Sequence, residues 1–315
     1  MKILIAPLNW GLGHATRCIP LIEDYLQQGH EVVLGGDGDA LLRLRKQFPE
    51  LRYVQLAPLH LTYSHHRRQV AALLWQLPKL IQFCIRDHYQ LQVLLHCERF
   101  DKVISDNRFG LYSDLYACVY ITHQLHICLP RPWRWAEGIA AWLHARIYRR
   151  YDAVWVPDFE QAEHSLAGRL SHPKKMYCRE KVRYIGPLSR MKPAEPNQQY
   201  DVVALLSGLE PQRTLLEQAI GHRYQDSKES VLIVRGKVQE PATRLQHGSI
   251  TMVSHLPDDE LIPYLTGCRH IIARSGYTPI MDMKKLDLMA KVEFLPTPGQ
   301  PEQEYLYRWL SHGIM

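Results

Sequence analysis

The feature that most limits how this chain can fold is a repeated alternation of short apolar runs with helix-length segments. KILIA (2–6), HEVVLGG (30–36), RYVQL (52–56), KVISD (102–106), ACVYIT (117–122) and DAVWVP (152–157) come first. After an interruption the pattern resumes with DVVALLSG (201–208), SVLIVRG (230–236), SITMVS (249–254), HIIARSG (270–276) and KVEFLP (291–296). A run apolar at nearly every residue, instead of every second one, belongs to a strand covered on both faces, and so to a parallel sheet between layers of helices. The chain is therefore expected to be α/β and Rossmann-like. The interruption, KVRYIGPLSRMKPAEPNQQYD, carries three prolines and reads as a linker near 187–199. Two domains follow, 1–190 and 191–315, a division that 315 residues readily accommodate.

Composition narrows the class further. With 46% hydrophobic and 22% charged residues the chain is globular, not disordered. No apolar stretch reaches the roughly 18 residues of a membrane-spanning helix. Met1-Lys2 leads straight into a strand without the features of a secretory leader, so the expected location is cytoplasmic. Cys18, Cys84, Cys97, Cys118, Cys128, Cys178 and Cys268 show neither CxxC nor Cys–His zinc spacing, which predicts free thiols and no metal. Charge is uneven. Residues 1–190 hold 25 Lys and Arg against 17 Asp and Glu, whereas residues 191–315 hold 13 against 15. A basic first half points to an anionic partner. Without an aromatic–basic RNA motif or a helix-turn-helix, nucleic acid is not expected to be that partner.

In open parallel sheets ligands bind beyond the carboxyl ends of the strands. The loops there are rich in chemistry. APLNWGLGHATR opens the first helix, where free N–H groups and the helix dipole favour negative charge. Gly11 and Gly13 permit close approach, and His14 has the residue type and position of a general base. The third glycine of the dinucleotide fingerprint is missing, so NAD is not expected. SDNRFG places Asp106, Asn107 and Arg108 at one strand end, and ITHQL places Thr122, His123 and Gln124 at the next. In the second half, Ser207-Gly208 before a helix beginning near Pro211 forms a second anion-binding turn, with Arg213 adding charge. ARSGYTPIMDMKKL supplies another Ser-Gly turn with Asp282 in its helix, and FLPTPGQPEQEYL sets Gln300, Glu302 and Gln303 at the start of the last helix. GDGDAL (36–41) has the letters of a metal-binding DxD but reads as a turn and helix cap.

Taken in order, GLGHATR, LLSGLEPQR, ARSGYTPIMD and PTPGQPEQEYL resemble the motifs of GT-B glycosyltransferases. Within that fold the chain is similar to the family of the N-acetylglucosaminyltransferase that completes the lipid-linked peptidoglycan precursor and of the plant galactolipid synthases. The resemblance implies two Rossmann-like domains facing across a cleft, the first binding an acceptor and the second a nucleotide sugar, usually UDP-linked. It implies inverting, metal-independent transfer without a cofactor. It assigns Ser207 and Gly208 to the diphosphate, Arg274, Ser275 and Gly276 to the nucleotide pocket, Asp282 to the ribose, and Gln300 and Gln303 to the donor sugar. His14 would be the base, with Asp106 or His123 orienting the acceptor. The chain departs from the family in having Asp282 where glutamate is common, one glycine in the phosphate turn, and an end so soon after the last motif that a terminal helix crossing back to the first domain is expected to be lacking. The alternatives are an epimerase acting on UDP-N-acetylglucosamine, for which Glu302 is the candidate carboxylate, and an inactive nucleotide-binding relative.

Two segments, 65–89 and 129–152, mix arginine and histidine with Trp75, Trp133, Trp135 and Trp142. The second is expected to pack on the sheet. The first suits the cytoplasmic face of an anionic membrane and a lipid-linked acceptor of the cell envelope.

Overall fold

The structure, a computed structural model, describes residues 1–59, 76–208, 210–237 and 241–313. Its contacts divide the chain into two compact units: Met1–Ser189 together with the segment from Gly299 onward, and Arg190–Pro298.

The first unit is built on a seven-stranded, wholly parallel sheet in the order β3-β2-β1-β4-β5-β6-β7. Its strands are β1 (Lys2–Pro7), β2 (Glu31–Gly36), β3 (Tyr53–Gln55), β4 (Lys102–Asp106), β5 (Ala117–Ile121), β6 (Ala153–Val156) and β7 (Val182–Tyr184). Helices α1 (Leu12–Gln27), α2 (Gly38–Gln47), α3 (Leu77–Cys97) and α4 (Glu137–Tyr148) connect them. The two-faced burial expected of these strands is observed in the alternation of β1. Ile3 and Ile5 enter one core with Ile19, Ile22 and Leu34, while Leu4 and Ala6 enter the other with Leu91, Val103 and Tyr148. β7 lies in the stretch whose prolines mask it in the sequence.

The second unit has the order β10-β11-β9-β8-β12-β13, parallel except for the pair β10–β11. It comprises β8 (Val202–Leu205), β9 (Val231–Val234), β10 (Arg244–His247), β11 (Ile250–Val253), β12 (His270–Arg274) and β13 (Val292–Leu295), with α5 (Gln212–Tyr224), α6 (Asp258–Gly267) and α7 (Tyr277–Lys285). β10 has no apolar signature because all four of its residues are exposed on the sheet edge.

The last helix, α8 (Pro301–Gly313), corrects one expectation. It was assigned to the second domain, yet it belongs to the first unit. The reasons are specific contacts: Trp309 Nε1 donates to the Ser165 carbonyl at 3.0 Å, the Arg169 amide donates to the Tyr305 hydroxyl at 2.8 Å, and Leu306 is fully buried.

The second basic segment packs on the sheet as expected, through Ala145 and Tyr148. Its tryptophans are not spent on that contact: residues 131–150 carry exposed Trp133, Trp135, Ile139, Trp142 and Leu143. Helix α3 exposes Leu77, Ile81, Ile85, Tyr89 and Val93, one every fourth residue along one face. The rest of the first basic segment, Trp75 included, lies outside the described residues. No helix among the described residues is long and apolar enough to cross a membrane.

Candidate active site

Strand register brings the chemistry of the first unit together. Pro7 at the end of β1 is opposite Asp106 at the end of β4, which is opposite Ile121 at the end of β5. The Leu8 amide donates to the Asp106 carbonyl at 2.8 Å and continues the ladder by one bond. The loops holding His14, Asp106 and His123 therefore leave three adjacent strands at one level. Gly11 makes the first turn possible: it is the N-cap of α1 with φ of 82°, a left-handed conformation that a side chain would resist, and no side-chain bond caps the helix. Gly13 sits in the first turn, its carbonyl accepting from Thr16 Oγ1 at 3.1 Å.

Five side chains separated by up to 288 positions form one connected network. Asp106 is fully buried. Its Oδ2 accepts from Arg17 Nε at 2.5 Å and its Oδ1 from Arg17 Nη2, a bidentate pair. The same Oδ1 lies 2.8 Å from His14 Nδ1. Arg17 Nη2 also lies 2.8 Å from that nitrogen. In the tautomer protonated at Nδ1 the proton points to the carboxylate and Nε2 of His14 keeps its lone pair. Arg17 Nη1 donates to His123 Nδ1 at 3.2 Å, which leaves the His123 proton on Nε2, 2.8 Å from Glu302 Oε1. Both ring nitrogens of His123 are thus engaged, whereas His14 has Nε2 remaining and its side chain keeps 14% of its surface exposed.

Electrostatics reinforce that division. Burial and the Arg17 charge outweigh the Asp106 carboxylate and hold the His14 imidazole below its ordinary pKa, so it stays neutral near pH 7. Burial alone would raise the Asp106 pKa, but Arg17 and His14 reverse this and hold the carboxyl well below the usual range. Glu302 is likewise lowered, burial being outweighed by His123, to which it is hydrogen-bonded, and then by His14 and Arg17. The arrangement is a neutral imidazole with a buried permanent anion behind it, able to take a proton at Nε2 and share the resulting charge with Asp106. Asp106 or His123 was expected to orient an acceptor. Asp106 is instead buried with its oxygens bonded to Arg17 and His14, and both ring nitrogens of His123 are bonded within the cluster. Arg17 and Glu302 had no place in the expected catalytic set, and their role depends on pairings 89 and 179 positions apart.

The other polar residues of these loops do structural work. Arg108 is fully buried, with Nε and Nη2 on Asp87 at 3.0 and 2.6 Å and Nη1 on Asp37 at 2.6 Å. Asp37 occupies the expected N-cap position of α2, but its side chain makes no capping bond. Asn9 Oδ1 accepts from the Ala40 amide at 3.3 Å instead, while Asn9 Nδ2 donates to Asp37. Gly38, with φ of 51°, leaves the room Asn9 needs, since a Cβ there would lie 2.2 Å from Asn9 Nδ2.

In the second unit, Ser207 and Gly208 follow β8, both exposed, and Gly208 is left-handed at φ of 98° with open space where a Cβ would stand. The turn into α5 already holds an anion. The two carboxylate oxygens of Glu210 accept from the Thr214 amide at 3.2 Å, from its hydroxyl at 2.8 Å, and from Arg213 Nη2 at 2.7 Å. Arg274 is buried, donates to the Pro296 and Gln212 carbonyls at 3.0 and 2.8 Å, and is lowered from the usual arginine range by burial. Ser275 is fully buried, and Gly276 is the N-cap of α7. Asp282 on α7 lies 3.5 Å from Arg190 Nη1, and Arg190 also grips Asp258 through two bonds. In the first unit, Gln303 Nε2 donates to Gln300 Oε1 at 2.7 Å.

No protein-family model matches the chain. A curated protein of the archaeon Methanosarcina acetivorans, named an uncharacterized glycosyltransferase, is 23% identical over 328 residues, covering 96% of this chain and 82% of its own length. Among solved structures, the glycotransferase of kitacinnamycin superposes with a TM-score of 0.59 at 12% identity, over 97% of this chain and 83% of its own. UGT2 of Phytolacca americana, solved with UDP-2-fluoro-glucose and pterostilbene, gives 0.59 at 15% identity, over 99% and 83%. The homologues and structural neighbours are transferases, which does not favour the epimerase alternative. Two units on mostly parallel sheets, matched over nearly the whole chain, are the α/β fold of GT-B glycosyltransferases.

Proposed function

We propose that the protein transfers a sugar from a nucleotide donor, UDP-linked, to a hydroxyl acceptor, with inversion and without a metal at the reaction centre. The observation that carries this reading is the neutral His14 backed by the buried Asp106–Arg17 pair at the ends of β1, β4 and β5. His14 Nε2 takes the acceptor proton as the oxygen attacks the anomeric carbon, and the bond to the nucleotide diphosphate breaks. A single displacement of this kind inverts the configuration. Nucleotide binding falls to the second unit: the Ser207-Gly208 turn and the start of α5 for phosphate, and Asp282 for the ribose. Helix N-termini and basic groups then stabilise the leaving diphosphate.

The acceptor is lipid-linked in this reading, supported by the motif resemblance and by the basic, aromatic face of residues 131–150. There Arg131, Arg134 and Arg146 stand exposed among Trp133, Trp135 and Trp142, a composition suited to an anionic membrane surface. The decisive experiment measures thermal stability with UDP, GDP, ADP and dTDP, with and without EDTA, on the wild type and Asp282→Ala. A nucleotide at 100 times its Kd adds about 2.7 kcal/mol. A UDP-specific shift that survives EDTA and disappears in Asp282→Ala supports the donor site, and its absence with every nucleotide rejects it.

A further inference from the structure

The loop after β5 continues past His123 to a second cluster that the proton-transfer chemistry does not use. His126, Cys128 and Glu137 present a ring nitrogen, a thiol sulfur and a carboxylate oxygen that all lie within 4.8 Å of one another. No other group of three such side chains converges among the described residues. We propose that these three residues bind a thiophilic divalent cation of the zinc class, with a fourth position left to water. The proposal does not depend on the transferase reading.

The ligand set and its supports both fit. A borderline-soft cation accepts imidazole, thiolate and carboxylate together, at roughly 2.0–2.3 Å. His126 Nε2 and Glu137 Oε2 are 3.0 Å apart, so a cation entering between them replaces one hydrogen bond and opens the gap only slightly. Glu137 is held for the purpose. It is buried at the start of α4 and its other oxygen accepts from the Leu129 amide at 3.0 Å, leaving Oε2 toward the imidazole. The His126 main chain is anchored through its amide to the Leu170 carbonyl at 2.9 Å. Charge balances as well: one carboxylate and one thiolate neutralise a divalent ion, the thiol proton of Cys128 passing to solvent as the metal–sulfur bond forms.

Arg169 currently stands in for part of that charge. Its Nη2 is 3.4 Å from Cys128 Sγ and 3.6 Å from Glu137 Oε1, and its side chain is 42% exposed. A bound cation would send it toward solvent. Arg169 is thus a competitor of the metal and not a ligand, which gives the proposal an unusual test: removing a cationic side chain should strengthen cation binding.

The experiment uses the full chain, stripped with chelator and dialysed, titrated with Zn²⁺ against a chromogenic competitor and separately with Co²⁺. One Zn²⁺ per chain is expected, with about one proton released per metal, and Co²⁺ should give a thiolate-to-metal charge-transfer band. Cys128→Ser should abolish that band and weaken Zn²⁺ binding at least tenfold, as should His126→Ala or Glu137→Gln. Arg169→Gln, which leaves the ligands intact, should tighten binding several-fold, and so decides the matter even if a ligand variant fails to fold. Cys97→Ser, an exposed thiol elsewhere, should change nothing. Binding that is substoichiometric, indifferent to Cys128→Ser, or weakened by Arg169→Gln overturns the proposal.

Discussion

Asp106 and Arg108 stand two residues apart at the end of the same strand, and each anchors a buried ion pair of similar make. Asp106 is gripped by Arg17, and Arg108 by Asp87 and Asp37. The difference is what the pair holds. The Arg108 cluster closes on itself, its remaining bond going to the Ala57 carbonyl, so nothing in it reaches solvent with a proton to exchange. The Asp106 pair carries a third group, His14, whose outer nitrogen stays available and whose pKa the pair tunes. A buried ion pair is weak evidence of a site, since many are structural. It becomes a site when it positions a titratable group that can meet a substrate.

Removing the outward group gives the largest effect on the reaction. His14→Ala should lower turnover of the nucleotide sugar by about 10²–10⁴-fold while leaving the melting temperature close to wild type, because the buried pair stays intact. In the wild type the rate should fall on the acid side only below pH 6.5, the ordinary histidine value, because the His14 pKa is lowered. An acid limb above pH 6.5 would show that His14 is not the base. Replacing the closed cluster should do the opposite. Arg108→Met leaves Asp87 and Asp37 buried without their cation and should cost about 3–5 kcal/mol, read as a large drop in melting temperature with turnover per folded molecule preserved. A stable but inactive Arg108→Met protein would break the comparison.

Much of the fold was legible because strand burial is a local signal, written in consecutive apolar residues. Asp106 at the end of such a run, and His14 and His123 in the loops and helix start that follow one, could be singled out from it. Their partners were less legible. Arg17 reads locally as a helix residue near a glycine loop, and its role arises from a carboxylate 89 positions away. Glu302 reads as part of the nucleotide-binding half, yet α8 belongs to the first unit. The cation cluster is hidden for the same reason. His126 and Cys128 are neighbours, but the third ligand is nine positions on from Cys128, inside a helix whose sequence signals only packing.

A further difference between buried groups appears in the pH dependence of stability. His144 lies in the core, its Nε2 donating to Tyr120 Oη at 2.9 Å, and burial pushes its pKa down to about 4. The unfolded chain protonates this side chain near pH 6.5, the folded one only near 4. The unfolded state therefore binds the extra proton, and stability present above pH 6.5 is lost as pH falls toward 4, by about 3 kcal/mol. Urea unfolding at pH 7.5 and 4.5 measures the loss, and His144→Phe should flatten that part of the profile. An unchanged slope would mean other groups control it.

The smallest effect concerns the second unit, where the comparison can be sharpened in an exposed setting. Glu210 caps the start of α5 with a carboxylate where the proposed nucleotide would place a phosphate, and it also neutralises Arg213. Exposed pairs of this sort are worth about 0–1 kcal/mol, so the competition is mild. Glu210→Gln should tighten UDP binding by up to about fivefold, the equivalent of that energy, in a calorimetric titration at low salt. Weaker UDP binding in this variant would reverse the interpretation. Glu210 would then be holding Arg213 in place for the phosphate, much as Asp106 holds His14 in the first unit, and the second unit would share the first unit's logic of a pair that positions a working group.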